Sequence, residues 1–405
     1  MFFQSLIMPL QEWYGNREIL LTGVTSELGR NLLEKLLRCF PNIKVHLVLR
    51  SRRGLYTLQR VKEQIYNSPG YDRLRQEQPD AISRVVAYEG NLVYDNLGIR
   101  RQDHEAMANV TVVFHAAGPF ECLLKFCSQL PKLHTVVMAS DLLSCNEHQV
   151  IEHTVYESVP NGLPLGIVRL PSLGPAYREP MPGYVELLKG ATAVMVGAGY
   201  LRGRKDLPVE IIPRDIATNT FIAAAWDVAN RGTLEVPMVY NAATIKCSWG
   251  ELIRKADRAN RNFRYPTFRV RGMTTSHILR WIIVLIFEWL PSIICDFILG
   301  ICYQKQNIVA EHKRVRSILK DFESVTLKVL TTQRQNIYNL QSLLSSEEKE
   351  LFCLHAQMDI EAYILCAAAA TRKYCVDDSN LRIVSFFTPT LLALFFLICG
   401  YYFIR

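Results

Sequence analysis

The stretch Thr22-Gly23-Val24-Thr25-Ser26-Glu27-Leu28-Gly29 sits between a continuous apolar run, Ile19 to Leu21, and a segment whose leucines recur at 28, 32, 33, 36 and 37. Recurrence at three and four residues marks one face of a helix, and the unbroken run suits a buried parallel strand. A strand that feeds a helix through such a turn lets the backbone approach a pyrophosphate, and the free N–H groups at the helix start point at the anion. Thr22, Gly23, Thr25, Ser26, Leu28 and Gly29 are therefore candidate cofactor contacts. Ser26 stands where dinucleotide-binding turns usually place a third glycine, and Glu27 adds an anion beside the expected phosphate. A strand-to-helix turn without any ligand has the same grammar.

The elements that must position this turn follow in order. Lys44 to Leu49 reads as a second strand ending in Arg50-Ser51-Arg52-Arg53. The end of the second strand faces the adenosine ribose in a dinucleotide fold, where an acidic residue holds a free 2′-hydroxyl and arginine suits a 2′-phosphate. Arg50 thus favours NADP(H) over NAD, with an exposed basic loop as the alternative. Leu55 to about Gln78 reads as a polar helical segment, Arg84 to Tyr88 as a third strand and Val110 to His115 as a fourth. The fourth ends in Ala116, Ala117 and Gly118, small residues against which a ring can pack.

A chain of 405 residues exceeds one ordinary core and suggests about two to three units. Its charge of +8 comes from small groups of arginines, without the long basic stripe or interleaved aromatics of a nucleic-acid binder. The 11 cysteines include no C-x-x-C pair, which argues against a zinc site or a disulfide framework and for a reducing compartment. No metal site is expected. The N-terminus lacks a charged leader region and is broken at Pro9, so a cleaved secretory signal is not expected.

Longer segments carry a more specific signal. Leu32 to Arg38, Val113 to Ala117, Leu163 to Arg169, Glu179 to Tyr184, Val196 to Gly199, Ile212 to Ile216 and Phe221 to Trp226 resemble the alcohol-forming fatty acyl-CoA reductases of insect type, an extended short-chain dehydrogenase/reductase family. Leu343 to Phe352 and Asp359 to Tyr363 extend the resemblance over nearly the whole chain. It implies reduction of a long-chain fatty acyl-CoA to the alcohol with NADPH, by two hydride transfers through an aldehyde. It also implies a tyrosine that protonates the developing alkoxide, a lysine four residues later that lowers the tyrosine's pKa, and a serine or threonine on the carbonyl. By the same resemblance Ser140 matches the carbonyl-binding hydroxyl, although an ordinary strand-end serine is the favoured description, and Asn91 replaces an aspartate near the adenine. Arg169, Arg178 and Arg214 become candidates for CoA phosphates.

The tyrosine–lysine pair is missing. Counting back from Gly162-Leu163-Pro164 places Cys145 and Gln149 at its two positions, and none of the 18 tyrosines has a lysine four residues on. Tyr156 is the nearest tyrosine, with Pro160 where the lysine belongs. The sequence therefore supports two readings: an NADPH-dependent reductase of weak activity, or an inactive membrane-tethered relative that binds cofactor, acyl-CoA or a partner protein.

Two hydrophobic segments differ in kind. Trp281 to Tyr303 is interrupted by Glu288, Pro291 and Asp296, and charges at a bilayer centre cost about 2.5–3.5 kcal/mol each. A pair of interfacial or acyl-channel helices is expected there, or a helical hairpin packed on the core. Ile383 to Ile404 contains no charge, is flanked by Arg382 and Arg405, and at about 1.5 Å per residue matches a hydrocarbon core of about 30 Å. It reads as a single C-terminal transmembrane anchor leaving the remainder cytosolic, at the endoplasmic reticulum or the peroxisome. The expected architecture is α/β: a doubly wound parallel-sheet (Rossmann) dinucleotide domain over 1–260, a mainly helical region over 261–378, and the anchor at 383–404.

Overall fold

The computed structural model describes residues 8–50, 57–142, 160, 162–197, 199–232, 234–259, 270–301, 308–329 and 333–375. Seven strands form one parallel sheet: β1 Glu18–Thr22, β2 Lys44–Leu49, β3 Val85–Glu89, β4 Val110–His115, β5 Thr135–Asp141, β6 Leu165–Leu170 and β10 Met238–Asn241. Their order is β10-β6-β5-β4-β1-β2-β3. The chain thus builds outward from β1 through β2 to β3, then returns to lay β4 on β1's other side. In such a sheet ligands bind beyond the strand C-termini where the winding reverses, here between β1 and β4.

Alternation along the strands explains the two covered faces. Ile19 and Leu21 enter one core with Leu28, Leu32, Leu33, Leu36 and Leu37 of the Glu27–Cys39 helix and Phe221, Ile222 and Trp226 of the Arg214–Arg231 helix. Leu20, Val113 and Val136 enter the opposite core with Leu123, Leu124 and Phe126 of the Glu121–Cys127 helix. Each leucine of the Glu27–Cys39 helix is at most 3% exposed, so each contributes about 2 kcal/mol of burial. The seven-residue Glu121–Cys127 helix is the minimal β4–β5 crossover that the short connection demands.

A third core lies outside the sheet. The parallel pairs β7 Ser172–Gly174 with β9 Ile211–Pro213, and β8 Tyr200–Arg202 with β11 Gly272–Thr274, meet the helices Trp249–Ala259, Ile308–Leu327 and Ile360–Tyr374. Leu201, Val209 and Trp249 pack there with Val315, Leu319, Phe322, Tyr363 and Ile364.

Two expectations change. The segment before Gln78 is not one helix: a helix at Thr57–Val61 runs into a π turn at Lys62–Tyr66, then come a 3-10 turn at Pro69–Tyr71 and a helix at Asp72–Glu77. Pro69, which lacks an N–H, and Gly70, pressed against the Tyr184 ring, make the break. Likewise His277–Ile301 is one continuous helix and not a pair. A π turn at Leu285–Trp289 lies just before Pro291 and absorbs the backbone bond that proline cannot make. The two charges also have internal partners. Glu288 accepts the Tyr200 amide at 2.7 Å, and Asp296 accepts the Ile308 and Val309 amides at 2.9 Å each, capping the next helix. Among the described residues this is the one helix long and apolar enough to cross a membrane. The 383–404 segment lies outside the described residues.

Candidate functional site

The reversal point is built from the β1 turn and the β4 exit. Gly23 has φ +75, and a Cβ there would lie 2.5 Å from the Ala117 nitrogen and 2.7 Å from its oxygen. The two loops therefore touch backbone to backbone, which only glycine permits. Gly29 is buried, and its Cβ would meet the Gly23 oxygen at 2.3 Å, so it seats the helix against the turn. Leu28 is 3% exposed and belongs to the core, leaving only its backbone to face a ligand. Thr25 and Ala117 are exposed, whereas Ala116 is buried.

Ser26 and Glu27, the two misfits in the turn, each have a structural partner. The Ser26 Oγ accepts the Gly29 N–H at 3.0 Å and so caps the helix, satisfying one of the amides that would face a phosphate. The Glu27 carboxylate lies 3.8 Å from the guanidinium of Arg214, which is 1% exposed and also donates from Nε to the Gly174 carbonyl. A buried cation thus offsets the anion beside the expected pyrophosphate. It also removes Arg214 from the candidates for a solvent-facing CoA phosphate. A backbone-lined crevice at a helix N-terminus, with its one acidic neighbour paired, fits a dinucleotide pyrophosphate.

Sequence reasoning passed over His115. Buried to 2%, it joins both sides of the crevice: Nδ1 lies 2.8 Å from the Thr22 hydroxyl and Nε2 lies 2.9 Å from the Gly118 carbonyl. These partners assign a neutral ring that donates from Nε2 and accepts at Nδ1. Burial pushes its pKa down, outweighing the Gly118 carbonyl, so the ring stays uncharged. The available signal was a polar residue closing the apolar run Val112 to Phe114 of β4.

The remaining candidates lie along the same edge of the sheet. Arg50 follows β2, exposed, and its carbonyl accepts from Arg60 at 2.7 Å. Asn91 follows β3 and shapes its loop: its amide donates to Leu97 at 2.7 Å and its Oδ1 accepts from Val93 at 3.3 Å. Ser140, 6% exposed, lies near the end of β5 in register with Arg169 of β6. Arg169 itself donates to Asn241 at 3.4 Å. Tyr156, Cys145, Gln149, Arg52 and Arg53 lie outside the described residues, so the proton-donor position has no structural description. Among the described residues, no group of three or more His, Cys, Asp or Glu is placed to hold a metal ion.

The distant segments that carried the resemblance converge in space. Asp215 accepts three consecutive backbone amides, from Tyr177 at 2.9 Å, Arg178 at 2.7 Å and Glu179 at 3.2 Å. Burial raises the Asp215 carboxyl while those amides stabilise its anion. Glu179 in turn receives Lys35, Arg38 at 3.2 Å and Arg73 at 3.3 Å. Burial opposes its charge, but Lys35 and Arg38 prevail and hold its pKa below the ordinary carboxylate value. Tyr363 donates to the Pro175 carbonyl at 2.6 Å, tying the C-terminal helix to the same loop. Arg178 stacks on Tyr177 and lines a cavity of about 610 Å³ with Asp215, Asn219 and Glu350.

Known proteins match this arrangement along most of its length. Two family models described as male sterility protein match, the NAD-binding one over residues 21–128 and the sterile one over residues 287–378. Fatty acyl-CoA reductase 1 of Xenopus laevis is 25% identical over 455 positions, covering 92% of this chain and 87% of the relative. Fatty acyl-CoA reductase wat of Drosophila melanogaster is 23% identical over 454 positions, covering 91% and 86%. Both alignments are longer than this chain's 405 residues, so each relative carries segments that this chain lacks. The reductase domain of a non-ribosomal peptide synthetase from Mycobacterium tuberculosis superposes with a TM-score of 0.59 at 12% identity, over 88% of this chain and 92% of that one. The terminal R domain of the myxalamid biosynthetic pathway does so with a TM-score of 0.54 at 14% identity, over 89% and 91%. The chain is thus similar at both ends to male sterility protein models, and along most of its length to proteins named fatty acyl-CoA reductase in vertebrates and insects.

Proposed function

We propose that this chain binds NADPH between β1 and β4 and reduces long-chain fatty acyl-CoA slowly, through the aldehyde to the alcohol. The observation that carries this reading is the backbone contact of Gly23 with Ala117 beside the half-buried start of the Glu27–Cys39 helix. When bound, the nicotinamide dinucleotide would supply a hydride to the thioester carbonyl, with CoA leaving as the thiol, and a second NADPH would supply the hydride that takes the aldehyde to the alcohol. The backbone of Gly23, Thr25 and Ser26 holds the pyrophosphate. Arg50 meets a 2′-phosphate, Asn91 lies toward the adenine, and Ala116 and Ala117 form the wall for the ring. Ser140 holds the substrate carbonyl and Tyr156 provides the proton. Turnover is slow because no lysine stands four residues after Tyr156, and general-acid catalysis contributes about 10²–10⁴-fold when complete. The 383–404 segment anchors the protein in the endoplasmic reticulum or peroxisomal membrane, with the catalytic part in the cytosol.

A second reading, a tethered relative without turnover, is favoured by the same missing pair and by the Ser26 hydroxyl already occupying the Gly29 amide. Calorimetric titration of NADPH and NADH into the full chain in detergent, followed by an assay for fatty alcohol, separates the two. Micromolar NADPH binding with alcohol formation that Tyr156→Phe abolishes supports the reductase. Binding without product leaves the second reading. No binding to folded protein sinks the reductase mechanism.

A further inference from the structure

The His277–Ile301 helix presents an apolar stripe that no described residue covers. Ile278 is 72% exposed, Trp281 57%, Leu285 43%, Ile293 53%, Phe297 69% and Ile301 63%. At about 100° per residue, an uninterrupted α-helix would carry the later members round its axis, by nearly half a turn at Ile301. The π turn at Leu285–Trp289 holds one extra residue and returns them to the face of Ile278 and Leu285. The opposite face belongs to the protein: Glu288 and Ser292 are wholly buried, the first on the Tyr200 amide. Val284, Cys295 and Leu299 are buried on that same packed face, so the protein holds one side of the helix and leaves an apolar side open, an arrangement suited to lying in a membrane surface rather than crossing it.

Charge beside the stripe selects the kind of surface. A cavity of about 340 Å³ opens between this helix and Ile308–Leu327, lined by Arg280, Trp281, Trp289, Lys313, Arg316 and Lys320. Arg280 pairs with Glu323, and Arg316 lies 3.6 Å from Glu288 and 3.8 Å from Glu323, so the two carboxylates are engaged inside. Lys313 and Lys320 are exposed, two turns apart on their helix, and carry positive charge outward. Trp281 and Trp289 bring to the mouth rings suited to the headgroup level.

We infer that this face docks the protein flat on an anionic phospholipid bilayer, with the apolar stripe in the acyl region and a lipid phosphate in the cavity beside Lys313 and Lys320. The inference rests on the membrane reading above but names a contact separate from the C-terminal anchor.

The test uses the full chain with vesicles of phosphatidylcholine alone or mixed with phosphatidylserine, brominated near the top of their acyl chains. Sedimentation reports membrane attachment, and tryptophan quenching reports this face, because Trp13, Trp226 and Trp249 are at most 6% exposed. Strong quenching on the anionic vesicles is expected, with most of it removed by Trp281→Phe. At about 1 kcal/mol per lysine, or roughly fivefold, Lys313→Gln with Lys320→Gln lowers the docked-to-undocked ratio roughly 25-fold. Sedimentation with Trp281 unquenched overturns the inference while the anchor stands, as does quenching indifferent to lipid charge and to both lysines. Absence of sedimentation overturns both. A second copy covering the stripe leaves Trp281 unquenched and also overturns it.

Discussion

Gly23→Ala tests whether the crevice is what binds the cofactor. The new methyl would sit 2.5 Å and 2.7 Å from two backbone atoms of Ala117, where ordinary contacts need about 3.5 Å. Neither neighbour is a side chain that can rotate away, so the β1 turn and the β4 exit must part by about 1 Å. A φ of +75 adds about 1–2 kcal/mol of strain for a residue with a Cβ. Together these effects lower stability by about 2–4 kcal/mol and weaken NADPH binding at least tenfold, which corresponds to about 1.4 kcal/mol. Ser26→Gly should act in the opposite sense. It frees the Gly29 amide, costs the helix only a few tenths of a kcal/mol, and tightens NADPH binding. Calorimetric titration of both variants, alongside urea unfolding to confirm the fold, measures each effect. Wild-type NADPH affinity in a folded Gly23→Ala variant would refute the placement of the cofactor.

Asp215→Ala strands three half-buried amide donors at once, each worth about 1 kcal/mol, so the urea midpoint should fall by an amount equivalent to about 3 kcal/mol. Asp215→Asn keeps one acceptor and should fall about half as far; equal loss in both would show that charge, not amide capture, is what matters. Stability should also depend on pH through three buried histidines. Burial lowers His46 and His115, and burial with Arg316 nearby pushes His312 down to about 4. The unfolded chain then binds protons that the native state refuses, so this stability is complete above about pH 6.5 and is lost as pH falls through the native values. His312 alone accounts for roughly 3 kcal/mol by about pH 4. Urea midpoints measured between about pH 7.5 and 4.5 that rise on acidification would contradict that sign.

Which parts of this protein were legible in its sequence follows from the range of the interactions involved. Ile19 to Leu21, the turn to Gly29 and the leucines at 28, 32, 33, 36 and 37 encode a strand, a turn and a helix through neighbours at most four residues apart. The small residues after β4 mark a close approach by composition alone. The break at Pro69-Gly70 is also local, but the polar residues around it concealed it. In contrast, nothing near Glu27 announces that Arg214 will lie 3.8 Å away, and nothing near Tyr177 announces the Asp215 carboxylate. His115 looked like a misplaced polar residue until Thr22 and Gly118 gave both ring nitrogens a partner.

The hydrophobic segment at Trp281 shows the same division. Composition established its apolarity and the places where Glu288, Pro291 and Asp296 interrupt it. Only tertiary structure decided that the helix continues through them, because Tyr200, Ile308 and Val309 supply the donors that its two carboxylates need. By itself the sequence determined the periodicities, hence the strands and helices of the sheet domain, and the absence of a tyrosine–lysine pair. Folding decided which charges are neutralised and which face stays open, because these depend on groups tens to hundreds of residues apart that meet only when the chain is packed.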